Sequence, residues 1–246
     1  MLMSSVDEAR FSASHPEIAG KRVLITGLTS GCGVDIVRAF AEHRARLVLQ
    51  FEETSEETDQ IAEIAAPYAL DIQAFGPVAC EQQAVAQFAR GAMQAFGGLD
   101  VLINLVPLAP AEAGTAVSLD AVERRIARSL LLPCLMAKIA ANRMALSYIE
   151  GLILNVAMLT PPLKGPAQAF ACVAKSALTA MTRAQAGEWA GKGIRFNAIV
   201  PPTAITAAGP GGLVGEPEVA ELALQLVSGH GKTLSGHVLE AEPGRC

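Results

Sequence analysis

Residues 22–45 read RVLITGLTSGCGVDIVRAFAEHRA, and this stretch decides the fold. RVLITG is a short apolar run of the kind that forms a buried strand. It breaks at Gly27. From Asp35 onward, Ile36, Val37, Phe40 and Ala41 recur at helical spacing. Between the two lies TGLTSGCG, Thr26 to Gly33. Gly27 permits a tight turn, Gly31 lets the backbone approach a pyrophosphate, and Gly33 allows close helix–strand packing. The unpaired N–H groups at the helix start, including those of Ser30 and Cys32 on the way in, then face an anion.

The alternation continues along the chain. Strands are expected at 22–27, 46–51, 68–72, 99–106, 151–157, 194–200 and 236–241. Helices are expected at 35–45, 54–66, 81–97, 119–147, 167–190 and 216–228, with Pro133 kinking the fourth or sitting near a break in it. Strands that are apolar throughout are buried on both faces, and strands alternating with helices imply parallel right-handed crossovers. The fold class is therefore α/β: a Rossmann-type doubly wound parallel sheet of about seven strands in one domain over 19–246. Residues 1–18 read as a flexible arm.

The chain has 246 residues, enough for a sizeable core, and a hydrophobic fraction of 51%. A net charge of -5, a pI of about 5.4 and no basic cluster argue against nucleic acid as a partner. The five cysteines are scattered without C-x-x-C or metal-ligand spacing, which points to free thiols, a reducing compartment and a cytoplasmic location. The first twenty residues lack a basic stretch followed by an apolar run, and no long apolar stretch is free of charge or proline. No membrane partner and no metal are expected.

These landmarks together resemble the short-chain dehydrogenase/reductase family. Its loop, T-G-x-x-x-G-x-G, is matched by Thr26, Gly27, Gly31 and Gly33. GLILNVA (151–157), GIRFNAIVPP (193–202) and LSGHVLEAEPG (234–244) resemble later strands of the family. The resemblance spans about Gly20 to Gly244. It implies dinucleotide contacts at Gly27, Ser30, Gly31, Cys32, Gly33, Asp71, Asn104, Lys175 and Thr206. Phe51 stands where an acid often binds the ribose, followed by Glu52 and Glu53. The absence of a nearby Arg or Lys favours NAD over NADP.

The family's catalysis uses a tyrosine, a lysine one helical turn later, a serine and an asparagine. A free phenol, with pKa about 10, needs the nearby ammonium to become a useful proton carrier. Only Lys175 is retained here. Ala171, Met158 and Ser129 occupy the tyrosine, serine and asparagine positions, and Ala171 and Met158 donate no proton. Cys172 and Thr160 are weak substitutes. Pro201-Pro202 replaces the family's Pro-Gly, and a short Gly/Ala-rich loop stands where a longer lid is usual. The first expectation is an NAD-binding protein without the ordinary proton-transfer apparatus, acting as a sensing, regulatory or assembly subunit. The alternative is an NAD(P)-dependent oxidoreductase of the carbonyl/3-oxoacyl reductase kind that takes its proton from another donor or from water. Apolar residues on more than one stripe of the 119–147 and 167–190 helices imply a homodimer or homotetramer, or a mixed oligomer with an active relative.

Overall fold

The computed structural model describes residues 15–108, 118–158, 166–200 and 216–240. Seven strands form one parallel sheet in the order β3-β2-β1-β4-β5-β6-β7. They are β1 (Arg22–Leu28), β2 (Arg46–Phe51), β3 (Asp71–Phe75), β4 (Val101–Pro107), β5 (Leu152–Met158), β6 (Arg195–Val200) and β7 (Val238–Glu240). The helices are α1 (Val34–Glu42), α2 (Glu56–Ala65), α3 (Gln82–Gln94), α4 (Leu119–Ile126), α5 (Leu132–Leu146), α6 (Pro166–Trp189) and α7 (Glu216–Val227). The expected fold class is the observed one.

The core follows from the strands. Val23, Ile25, Leu47, Leu49, Ile103, Leu154 and Val156 pack on one side of the sheet against Ile36, Val37 and Phe40 of α1 and Ala223 and Leu224 of α7. Leu24, Leu102, Ile153 and Phe196 pack on the other side against Met93 of α3 and Met136, Ala140 and Met144 of α5. The run 119–146 is long and apolar enough, by length and composition, for a membrane span. Here α5 lies against α3, β4 and β5, as a core helix does.

Three local features refine the sequence reading. Residues 15–18, expected in the arm, belong to the folded domain: Pro16–Ile18 form a 3₁₀ turn, Ile18 is fully buried, and His15 is buried as well. The break expected near Pro133 is a π turn over Ala127–Leu131, where the Leu132 N–H reaches the Ala127 carbonyl. Pro133 sits in the first turn of α5, where its missing N–H does no harm. Finally, β3 starts three residues later than expected and stops at Phe75, before Gly76-Pro77. Tyr68 to Leu70 instead form the turn into the strand, and the Leu70 N–H bonds the Ala45 carbonyl.

Candidate active site

The glycine loop lies at the carboxyl end of β1. Gly27 has φ +81°, and a β-carbon there would run into the Leu105 carbonyl oxygen of β4. Only glycine lets the chain turn so closely over the neighbouring strand. Gly33 has φ +91° and stands at the N-cap of α1, where it has no side chain of its own to cap the helix. A β-carbon at Gly31 would meet nothing within 4 Å among the described residues. The loop therefore has an open face at Gly31 beside the first amides of a helix, the setting in which a phosphate oxygen is bound.

Carboxylates of the chain itself approach these amides. The Asp35 N–H donates to Glu216 at the start of α7, at 3.0 Å. The Ser30 N–H and hydroxyl both donate to one oxygen of Glu53, at 3.0 and 2.9 Å. The Glu216 oxygen stands in for a phosphate oxygen at the helix N-terminus. The loop thus fits an anionic group, which must contend with Glu216 for the same amide. Burial raises the Glu216 carboxyl above its usual range, although backbone hydrogen bonds oppose the shift. Bonding from the Ser30 backbone lowers that of Glu53. Burial, then the Glu216 charge, pushes the Cys32 thiol up to about 12, so it stays protonated at neutral pH. Gln50, buried beneath the loop, accepts from the Gly27 N–H at 2.9 Å and fixes the turn to β2.

The central strands carry a buried polar chain. Thr26 donates to Asn104 at 3.0 Å, Asn104 to Asn155 at 2.9 Å, and Asn155 to Thr182 of α6 at 3.4 Å. The Asn104 amide also reaches the Pro133 carbonyl at 3.4 Å. These bonds correct the expectation for Asn104. Its side chain is buried and used within the sheet, so it does not face a cofactor.

Asp71 needs a second correction. It opens β3 and pairs with Arg46, at the amino ends of the strands, whereas the glycine loop lies at the carboxyl ends. Its carboxylate bonds the Ile72 N–H instead. An Asp at that edge cannot reach an adenine held near the loop. The sequence signal for the shift was present, because the Gly76-Pro77 breaker marks the true end of the strand.

Lys175 lies on α6 with its side chain largely buried and its ammonium 2.8 Å from Glu240 of β7. Ala171, one helical turn earlier, is fully buried beside Val106, Ala157 and Leu178. Met158 ends β5, partly buried, and its carbonyl accepts from the Leu108 N–H. Ser129 lies in the π turn, buried, and donates to the Pro107 carbonyl at 2.6 Å. Its hydroxyl therefore joins α4–α5 to β4. Thr160, Pro201, Pro202 and Thr206 lie outside the described residues. A shallow groove on the outer face of α6 is lined by Cys172, Lys175, Ser176, Thr179 and Arg183. Its lining residues are distinct from Ala171, Ala174 and Leu178, which are buried against the core.

A family profile described as "Enoyl-(Acyl carrier protein) reductase" matches residues 27–220. The chain belongs to the short-chain dehydrogenase/reductase family. It is 31% identical over 186 residues to an uncharacterised oxidoreductase of Thermotoga maritima, covering 75% of this chain and 72% of that one. It is 31% identical over 196 residues to the D-threitol dehydrogenase of Mycolicibacterium smegmatis, covering 77% and 72%. Among solved structures it is similar to one described as a short-chain alcohol dehydrogenase from Sinorhizobium meliloti, at TM-score 0.78 and 27% identity, covering 92% and 96%. Members of this oxidoreductase family bind an NAD(P) dinucleotide, and the glycine loop is the part of this chain that suits one.

Proposed function

We propose that this short-chain dehydrogenase/reductase is an NAD(P)-linked oxidoreductase for an alcohol/carbonyl pair that does not draw its proton from residue 171. The observation that carries the reading is the glycine loop: an open face at Gly31 beside helix amides that already hold a carboxylate. The nicotinamide, when bound, gives or takes the hydride. Lys175 supplies the positive charge on α6, can reach hydroxyl groups of a bound dinucleotide once it leaves Glu240, and can hold a water that exchanges the proton at the substrate oxygen. The buried Thr26–Asn104–Asn155–Thr182 chain keeps β1, β4, β5 and α6 in fixed relation while this happens. Glu53 favours NAD, because a 2′-phosphate near Ser30 would meet its charge.

Ala171 and Met158 support a second reading, in which the chain binds a dinucleotide without turnover and serves as a sensing or assembly subunit. General acid catalysis is typically worth about 10²–10⁴-fold. Steady-state assay of alcohols and sugar alcohols with NAD and NADP, and of carbonyls with the reduced forms, separates the two. Specific turnover above about 1 s⁻¹ supports the oxidoreductase. Dinucleotide binding with no turnover on the panel supports the subunit. Either reading is compatible with self-association through the outer face of α6, where Val173 is exposed beside Cys172 and Ser176. Light scattering showing 25.6 kDa at micromolar concentration would overturn that association.

A further inference from the structure

We propose that His15, Glu17 and His230 form a binding site for a divalent transition-metal ion of the zinc type, remote from the glycine loop. One donor atom from each of the three residues lies within 4.8 Å of the others. Tetrahedral zinc, with bonds of about 2.0–2.2 Å, holds its donors roughly 3.4 Å apart. Closing that difference requires only side-chain adjustment at Glu17 and His230, both of which are exposed.

A second observation points to a ligand. His15 is buried, and its Nδ1 has no hydrogen-bond partner among the described residues. An unsatisfied buried polar atom is destabilising, so such atoms are rare without a bound group. The other ring nitrogen, Nε2, lies 3.8 Å from Glu221 of α7. That is the arrangement of a ligating imidazole, with one nitrogen for the metal and the other facing an orienting carboxylate. Glu17 is positioned by the backbone: its Oε1 accepts the Gly229 N–H at 2.8 Å. The His230 ring stands edge-on to that of His15, with centroids 6.0 Å apart. The His43 ring flanks His15 at 5.8 Å, while its Nδ1 is engaged with the Ala39 carbonyl. Three of the chain's four histidines therefore meet at one place.

Imidazole and carboxylate ligands together suit zinc, nickel or copper better than magnesium or calcium. The ligands come from the turn before β1 and the turn after α7, so no local sequence spacing reveals them. A bound ion would clamp the start of the domain to its far end. This site and the dinucleotide site stand or fall separately.

The test uses the full chain, stripped with a chelator and then titrated calorimetrically with Zn²⁺, with Mg²⁺ as the comparison. One Zn²⁺ per chain is expected, with a rise in Tm and no response to Mg²⁺. Glu17→Gln and His230→Ala should each weaken Zn²⁺ by about tenfold or more, while His237→Ala, at an exposed histidine outside the cluster, should not. Co²⁺ bound to the wild type should show a tetrahedral visible spectrum without a thiolate charge-transfer band. Equal affinity in all variants, a thiolate band, or no stoichiometric binding would overturn the site. The last result would leave a water on Nδ1 as its partner.

Discussion

Replacing Glu216 by Gln tests whether the chain's own carboxylate competes for the dinucleotide site. In the structure, one Glu216 oxygen accepts the Asp35 N–H at 3.0 Å, on the first turn of the helix that should receive a phosphate. A dinucleotide must either displace this carboxylate or lie against it. A hydrogen bond to a charged group is worth about 1.5–3 kcal/mol, and one between neutral groups about 0.5–1.5. Glutamine keeps the length and the acceptor but removes the charge, so the competition weakens by about 1–1.5 kcal/mol. That corresponds to roughly tenfold tighter binding. Repulsion between a retained carboxylate and a phosphate acts in the same direction, and the partly exposed position screens it. Calorimetric titration of NADH into wild type and Glu216→Gln, at several pH values, measures both effects. Because burial raises the Glu216 carboxyl above its ordinary value of 4.5, protonation starts at higher pH than for a free glutamate. Wild-type affinity should rise as pH falls through that raised value, and the variant should lack this component. Unchanged or weaker binding in the variant at neutral pH would refute the reasoning.

Gly31→Val should leave Tm within about 1 °C of wild type, because its β-carbon meets no atom of the described residues within 4 Å, while abolishing detectable dinucleotide binding; melts and titrations on one sample decide it. Gly27→Ala should unfold early instead, losing roughly 2–4 kcal/mol from positive φ and contact with Leu105, as read by urea denaturation. Asn155→Ala should lower urea stability by about 2–4 kcal/mol, because it strands the Asn104 and Thr182 groups in the sheet interior. Asp100 is pushed up by burial, but the hydrogen bonds from Arg22 pull it further down, to a value below 3.8 overall. The folded state thus holds the Asp100 proton less tightly than the unfolded chain does. The resulting stability is present above pH 3.8 and is lost as pH falls through the lowered value, whereas Asp100→Asn should show a shallower acid limb in thermal melts.

The fold was legible because its strands are uninterrupted apolar runs and its helices carry a separate periodicity. The strand that misled was β3, whose exposed, polar-rich sequence DIQAF lacks the apolar signature of a buried strand. The glycine loop could be read from spacing because each glycine answers a local backbone demand. Glu216 could not, since its contact with Asp35 joins residues 181 apart in sequence. Asn104 was legible as a conspicuous polar residue in an apolar strand, but its direction was not. Only the alignment of Thr26, Asn104 and Asn155 in adjacent strands shows that it points to its neighbours. Ser129 likewise reads as a site residue until the π turn places its hydroxyl on the Pro107 carbonyl.

That polar rung bears on how the sheet assembles. Strands β1, β4 and β5 are otherwise mostly Val, Ile and Leu, and a slip of one residue between them would still bury hydrocarbon against hydrocarbon. Thr26 sits level with Asn104, and Asn104 with Asn155, only in the native alignment. A shifted β4 would set Thr26 against Ile103 or Leu105 and leave both partners' polar groups in a dry interior. At about 1–3 kcal/mol for each orphaned group, a misaligned sheet loses several kcal/mol that greasy contacts cannot recover. The three side chains act as an index mark, letting a folding chain reject wrong alignments in the one region where hydrophobicity cannot tell them apart.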